Sequence, residues 1–419
     1  MRVSNGANID ANKKTYLVET ATYNFAVNIS LGMSNALLIR LLSYGVSELG
    51  LLTFVRILAN GVSQVPAVLL VERYRHRRKM LWNLFGALNR LGPSLLVLSL
   101  IIPRECSLPF AIVVSFLSQF AGGIAGVAAT DVLADIIPFE ESPHFFSKVN
   151  QLNYVSISLA FITSFATFAL ISDYLVSYQL LYVTSFIIGL VSTVFLIRIR
   201  DPKAFIHYEK PSVRFYDDLE VVKLILHDGR LKRYLLVISL FNFAVNIPAP
   251  FWDYIVMVVI GGNELIVVLK NVTSLVVKAV GVFFWRREIV KFGLRKVTVL
   301  GMASTSVVPI LYKDFATSTS LLGIEAVSGY VWAPLDLSIF LYNAYLPPKE
   351  VRPAYLSILG LTINSVSSLA SMMGTIIAVS TGDVGSVLLA SSVLRGITAT
   401  IAYAALPEIE EKYISERKY

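Results

Sequence analysis

Twelve apolar runs recur along these 419 residues, at 16–42, 48–71, 80–102, 109–137, 150–172, 174–197, 234–260, 264–285, 297–313, 316–346, 354–381 and 384–405. As a helix, about 20 such residues cross the roughly 30 Å of hydrocarbon in a bilayer. Lipid leaves no water for backbone N–H and C=O groups, so a spanning segment must satisfy them internally, and continuous runs of this length do so as α-helices. The expected fold class is therefore an all-α membrane protein with 12 transmembrane helices. Composition agrees: charged residues make up 15% of the chain, where ordinary globular surfaces need about 25%. One cysteine rules out an internal disulfide, and four scattered histidines offer no pair at metal-ligand spacing. No cofactor or metal is expected.

The run from Tyr16 is longer than the apolar region of a signal peptide and has no small-residue cleavage site behind it, so it is expected to remain as the first span. Lys and Arg orient the rest. Of 36, the segments on the N-terminal side hold 28, while the opposite side holds Arg40, Arg104 and Lys313. The positive-inside rule then places both termini in the cytoplasm of a multi-pass plasma-membrane protein. The net charge of +8 is accounted for by orientation and by anionic membrane lipid, and no nucleic-acid partner is needed.

The longest polar stretch divides six spans from six. The expected organisation is an N-terminal bundle over 1–199, a cytoplasmic linker over 200–232 and a C-terminal bundle with its tail over 233–419. Within the linker, Asp217 and Asp218 are placed to cap a short amphipathic helix ended by Gly229. Each half copies the other: Asn24-Phe-Ala-Val-Asn-Ile29 recurs as Asn242-Phe-Ala-Val-Asn-Ile247, and the same offset of 218 brings Arg77-Arg78 onto Arg295-Lys296. Later, Pro138-Phe-Glu-Glu141 meets Pro347-Pro-Lys-Glu350 at an offset of 209. Six spans per copy give both copies one orientation, a parallel repeat.

Twelve spans, a parallel 6+6 repeat, a long central loop and a basic loop between spans 2 and 3 resemble the major facilitator superfamily over nearly the whole chain. Its Gly-x-x-x-Asp-Arg-x-Gly-Arg-Arg motif is similar to Glu72-Arg73-Tyr74-Arg75-His76-Arg77-Arg78-Lys79, with both glycines replaced, by Val68 and Arg75. The second copy, Lys291-Phe-Gly293-Leu-Arg295-Lys296, keeps one glycine but has Val290 for the acid. The loops after spans 4 and 10 look like the Pro-Glu-Arg turns of uncharacterised permeases in that superfamily. Span 5 lacks the glycine-proline motif of drug antiporters, and Arg200-Asp-Pro-Lys203 does not match the sugar-porter motif. The resemblance implies that spans 1, 4, 7 and 10 line a central cavity. It also implies a cytoplasmic gate of Glu72 with Arg73 or Arg77, and Asp131 or Asp135 as partner for an arginine.

A charge deep in hydrocarbon costs a few kcal/mol or more, so it marks a cavity or a partner. Arg56, Arg90, Lys270, Lys278 and Arg395 stand against Glu19, Asp131, Asp135, Asp253, Glu325 and Asp336. Mutual pairing is the plain alternative for each. Arg56, Asn60 and Gln64 share one face of span 2, and Lys270, Ser274 and Lys278 repeat that stripe on span 8. Ser115, Gln119, Gly122 and Gly126 of span 4 correspond to Glu325, Gly329, Trp332 and Asp336 of span 10. Glu325 is expected about ten residues below the outer loop, some 15 Å deep. The pairs Asn24/Asn28 and Asn242/Asn246 lie near the midplane, as solute ligands or as helix-helix bonds, with Pro248 and Pro250 kinking span 7.

The reading these residues support is a monomeric secondary transporter, not an enzyme, with a small-molecule substrate, protons and membrane lipid as partners. Its substrate residues are Asn24, Asn28, Arg56, Asn60, Gln119, Asn242, Asn246 and Lys278; its proton-coupling residue is Glu325, with Asp336 as rival. Other readings are a uniporter, a membrane-embedded enzyme and a non-transporting receptor.

Overall fold

The computed structural model describes residues 2–137, 141–201, 223, 227–348 and 352–409. The expected linker helix after Asp217 and the middle of both Pro-Glu turns lie outside these residues. Among these residues, eleven helices are long and apolar enough to cross a membrane. A twelfth span is assembled from an α-helix, Arg78–Leu91, continued by a 3-10 stretch, Pro93–Leu100. At 1.5 and 2.0 Å per residue these two reach about 37 Å, enough for the bilayer.

In chain order the spans are α1 (Arg2–Ser30, continued as Ser34–Leu42), α2 (Val46–Val62 and Gln64–Arg73), α3 (Arg78–Leu91 and Pro93–Leu100), α4 (Arg104–Ile136), α5 (Ser142–Leu170) and α6 (Tyr174–Arg198). The second six are α7 (Gly229–Asn246, running on through 3-10 and π turns to Val259), α8 (Glu264–Phe292), α9 (Leu294–Thr305 and Val307–Phe315), α10 (Leu321–Tyr345), α11 (Arg352–Thr381) and α12 (Val384–Ala405). The chain divides into two compact units, residues 1–48 with 55–211 and residues 49–54 with 212–419. In the first, α1 packs on α5 and α6, and α3 on α4 and α6; in the second, α7 packs on α11 and α12, and α9 on α10 and α12.

Helix starts follow from local chemistry and reproduce the internal repeat. Asp173 caps α6 by accepting from the Leu175 and Val176 amides, and Asp383, 210 residues on, caps α12 through Gly385 and Ser386. α2 follows Gly45, whose amide donates to Glu48, and α8 follows Asn263, 218 residues on, whose side chain accepts from Ile266. Breaks repeat as well. α1 is interrupted at 31–33 and α7 at Ala249–Phe251, the same offset of 218.

Prolines within these spans free backbone carbonyls, because each removes the donor to the carbonyl four residues earlier. Pro248 vacates the Ala244 carbonyl, which accepts from Ser391 Oγ at 2.7 Å. Pro309 vacates that of Thr305, which accepts from Arg395 Nη1 at 3.0 Å, and Pro334 vacates that of Tyr330, which accepts from Trp285 Nε1 at 3.2 Å. Side chains of neighbouring spans thus satisfy what lipid cannot. Close helix approach needs glycine at Gly329, where an added Cβ would lie 2.3 Å from the Ser274 carbonyl oxygen of α8.

Candidate functional site

In the first unit three clusters of membrane-embedded polar groups stand out among the described residues. The first joins α1 to α5: Asn24 Nδ2 donates to Asn153 Oδ1 at 2.8 Å and to the Thr20 carbonyl, and Asn28 Nδ2 donates to the Asn24 carbonyl. The second unit repeats it between α7 and α11, where Asn246 Nδ2 donates to Ser367 Oγ at 3.0 Å and to the Asn242 carbonyl, and Asn242 to that of Ile238. Amide groups are therefore bonding helix to helix at both positions, each such bond being worth about 0.6 kcal/mol.

The second cluster surrounds Arg56, which is half-buried on α2. Its Nε donates to Ser115 Oγ of α4 at 3.3 Å, and its Nη1 to Ser34 Oγ and Asn35 Oδ1 of α1 at 3.1 and 3.2 Å. All three acceptors are neutral, and Nη2 is shielded from solvent with no hydrogen-bond partner. Asn60 lies one turn along α2, its carbonyl accepting from Ser63 Oγ, and Gln119 one turn beyond Ser115 is half-buried. Arg90, by contrast, is neutralised: its Nη2 donates to Glu19, its Nε to Ser192 and its Nη1 to the Gly86 carbonyl.

The third cluster sits where α2 and α3 meet, at the end of the unit that carries Arg198. Here the structure departs from the expected gate. Arg73 and Arg77 are exposed, and Arg78 is the arginine that reaches the acids. Its Nη1 donates to Asp131 at 2.6 Å, its Nη2 to Asp135 and Asp201 at 2.7 Å each, and its Nε to Asp201 at 2.8 Å. The physical reason is register: Arg78 is the first residue of α3 and turns inward, its side chain 1% exposed, whereas Arg77 ends the short 3-10 turn Arg75–Arg77 on the outside. Glu72 is half-buried at the end of α2. Neither Arg78 nor Asp201 is among the gate residues expected from the sequence. The signal available is the second arginine of the Arg77-Arg78 pair, together with an acid three residues beyond α6.

In the second unit the charges pair in sequence order. Lys270 Nζ lies 3.0 Å from Asp253 Oδ1, and Lys278 Nζ 3.0 Å from Asp336 Oδ2 while standing over the Trp332 ring. Asp336 is thus tied to a cation. Glu325, 8% exposed, accepts a hydrogen bond from the Tyr312 hydroxyl of α9, and Tyr312 in turn packs edge-on against Trp252 of α7. No ion pair holds Glu325 among the described residues. Its depth is less than expected, because α10 begins at Leu321 rather than near 316 and Glu325 lies four residues in, about 6 Å by helical rise. Thr317 and Ser320 explain the late start: each accepts the other's backbone amide on its side chain, an arrangement that competes with helix.

Comparison with known proteins agrees with this architecture. Residues 17–277 match the family model described as Major Facilitator Superfamily. Among solved structures, a D-xylose-proton symporter superposes with TM-score 0.73 at 12% identity, covering 94% of this chain and 98% of its own. The inward-open xylose transporter XylE from E. coli gives 0.69 at 12%, covering 96% and 98%, and the nucleoside transporter NupG gives 0.66 at 11%, covering 98% and 99%. No curated protein matches in sequence. With the family model covering well over half of its residues, this multi-pass, twelve-span chain belongs to the major facilitator superfamily.

Proposed function

We propose that the protein is a proton-coupled secondary transporter that carries a small organic solute across the plasma membrane by alternating access, as a monomer of two six-helix bundles joined by a linker that ends where α7 begins, at Gly229 rather than at the expected 233. The observation that carries the reading is a contrast between Glu325 and three other membrane-embedded acids. Glu19, Asp253 and Asp336 are each held by a cation, whereas Glu325 is bonded to a neutral hydroxyl. A carboxylate whose one partner among the described residues is the Tyr312 hydroxyl is able to gain and lose a proton without breaking an ion pair. That is what a coupling group requires, and one structural relative is itself described as a proton symporter. Asp336 is less suited because protonating it strands Lys278.

Arg56, Asn60, Gln119 and Lys278, with the amides of Asn24, Asn28, Asn242 and Asn246, are proposed to contact solute. Arg78 takes the gate role expected of Arg73 or Arg77. It ties Asp131, Asp135 and Asp201 together, and Glu72 is proposed to belong to the same gate.

Transport itself is tested by uptake of labelled metabolites into vesicles carrying the purified protein. Protein-dependent entry is expected, and its absence across the labelled pool would return the chain to a receptor or enzyme reading. Orientation has a separate test. Cys106 is exposed just inside the start of α4, and with both termini cytoplasmic it faces outward. An impermeant thiol reagent should label it on intact cells, and labelling only after lysis would reverse the orientation.

A further inference from the structure

Arg56 lies ten residues into α2, about 15 Å from the helix start and so near the bilayer midplane. A guanidinium there costs several kcal/mol unless an opposite charge or a full set of acceptors compensates it. Neither is present. Arg78, Arg90, Lys270 and Lys278 all touch a carboxylate, whereas the three acceptors around Arg56, Ser34, Asn35 and Ser115, are uncharged.

A guanidinium has five N–H groups. One on Nε and two on Nη1 are directed at the neutral acceptors, which draw on α1 and α4 and fix the plane of the group from two sides. Both hydrogens of Nη2 remain, shielded from solvent and unsatisfied. Arg395 is a second buried membrane cation without an acid among the described residues; its Nη1 fills the Thr305 carbonyl that Pro309 vacates, and it is its Nε, not a terminal nitrogen, that is left without a partner.

We infer that Ser34, Asn35, Arg56 and Ser115 form an oxyanion site in the first unit, and that the carried solute bears a carboxylate or phosphate group whose negative charge is bound by the free edge of Arg56. This rests on the transport reading for its purpose, since it names the charge class of the solute. A charged, planar donor that is already positioned binds carboxylate or phosphate oxygens with little further ordering.

The test reads binding without transport. Thermal unfolding of the purified protein is followed in acetate and in inorganic phosphate, each against chloride at matched ionic strength. At ten times its dissociation constant a bound oxyanion raises Tm by about 2 °C in a chain of this size. Wild type should show that rise with at least one oxyanion, and Arg56→Gln should show none. If neither oxyanion shifts wild type, or Arg56→Gln shifts equally, the site does not exist as described.

Should Arg56→Gln fail to fold, Ser115→Asp decides. It places a carboxylate against Nε, so it should raise Tm in chloride and abolish the response, with Ser115→Asn as the control that retains it. A Ser115→Asp protein that still responds overturns the proposal. Failure of the two readings is distinguishable: an oxyanion response without any solute uptake removes transport and leaves the site, whereas uptake with no response does the reverse.

Discussion

Vesicles carrying Glu325→Gln are expected to exchange solute across the membrane while losing the ability to accumulate it against a gradient. The substitution keeps the shape of the side chain and an oxygen to accept from Tyr312, so the contact between α9 and α10 survives. What it removes is the proton. A coupled carrier that cannot be deprotonated still reorients with solute bound on both faces, which is exchange, but no longer ties that movement to the proton gradient. Tyr312→Phe is the companion variant. It removes the hydrogen bond and leaves the carboxylate, so coupling should persist with a changed pH profile. Wild-type accumulation by Glu325→Gln would assign coupling to another acid, Asp336 first.

Removing the guanidinium of Arg78 should have the largest effect on folding. In Arg78→Met three carboxylates, Asp131, Asp135 and Asp201, are left facing one another, the last with a side chain only 2% exposed. Breaking a buried pair by taking one partner costs about 3–5 kcal/mol, a large share of typical stability. The expected result is low yield of folded protein, or a markedly lowered Tm. Adding Asp201→Asn should recover part of the loss, since it removes the most buried of the three charges. Arg78→Lys should restore less than a full rescue, because a point-charge ammonium cannot present a planar fork to three acids. Arg77→Ala, an exposed position, should fall within about 0.5 kcal/mol of wild type. Equal stability of Arg78→Met and wild type would contradict this picture.

Much of the fold is written in the chain at long range. Run length and the distribution of Lys and Arg are properties of whole segments, so twelve spans and their division into six and six are readable from the sequence alone. The repeat is readable for the same reason, and the structure carries it down to the caps, with Asp173 matched by Asp383 and Gly45 by Asn263. The sites are less legible because they depend on rotation about a helix axis and on a turn's register. Arg77 and Arg78 are neighbours in sequence, yet a 3-10 turn ending between them sends one outward and the other into three acids. The depth of Glu325 depends on where α10 starts, which the Thr317–Ser320 side-chain bonds decide and hydrophobicity does not. Likewise the partner of the carbonyl that Pro248 frees is Ser391, 147 positions from Ala244. Tyr312 carries no intramembrane charge to draw notice, so its bond to Glu325 emerges only from the packing of α9 on α10.

Whether protons drive solute movement is addressed most directly by one measurement. Vesicles carrying the wild-type protein are loaded at one pH and diluted into labelled metabolites at a lower pH, with and without a protonophore. With proton coupling, label rises above its equilibrium level while the gradient stands and falls back to equilibrium when the protonophore collapses it. Protein-dependent uptake that reaches the same level with the gradient present or collapsed would contradict coupling and leave a uniporter.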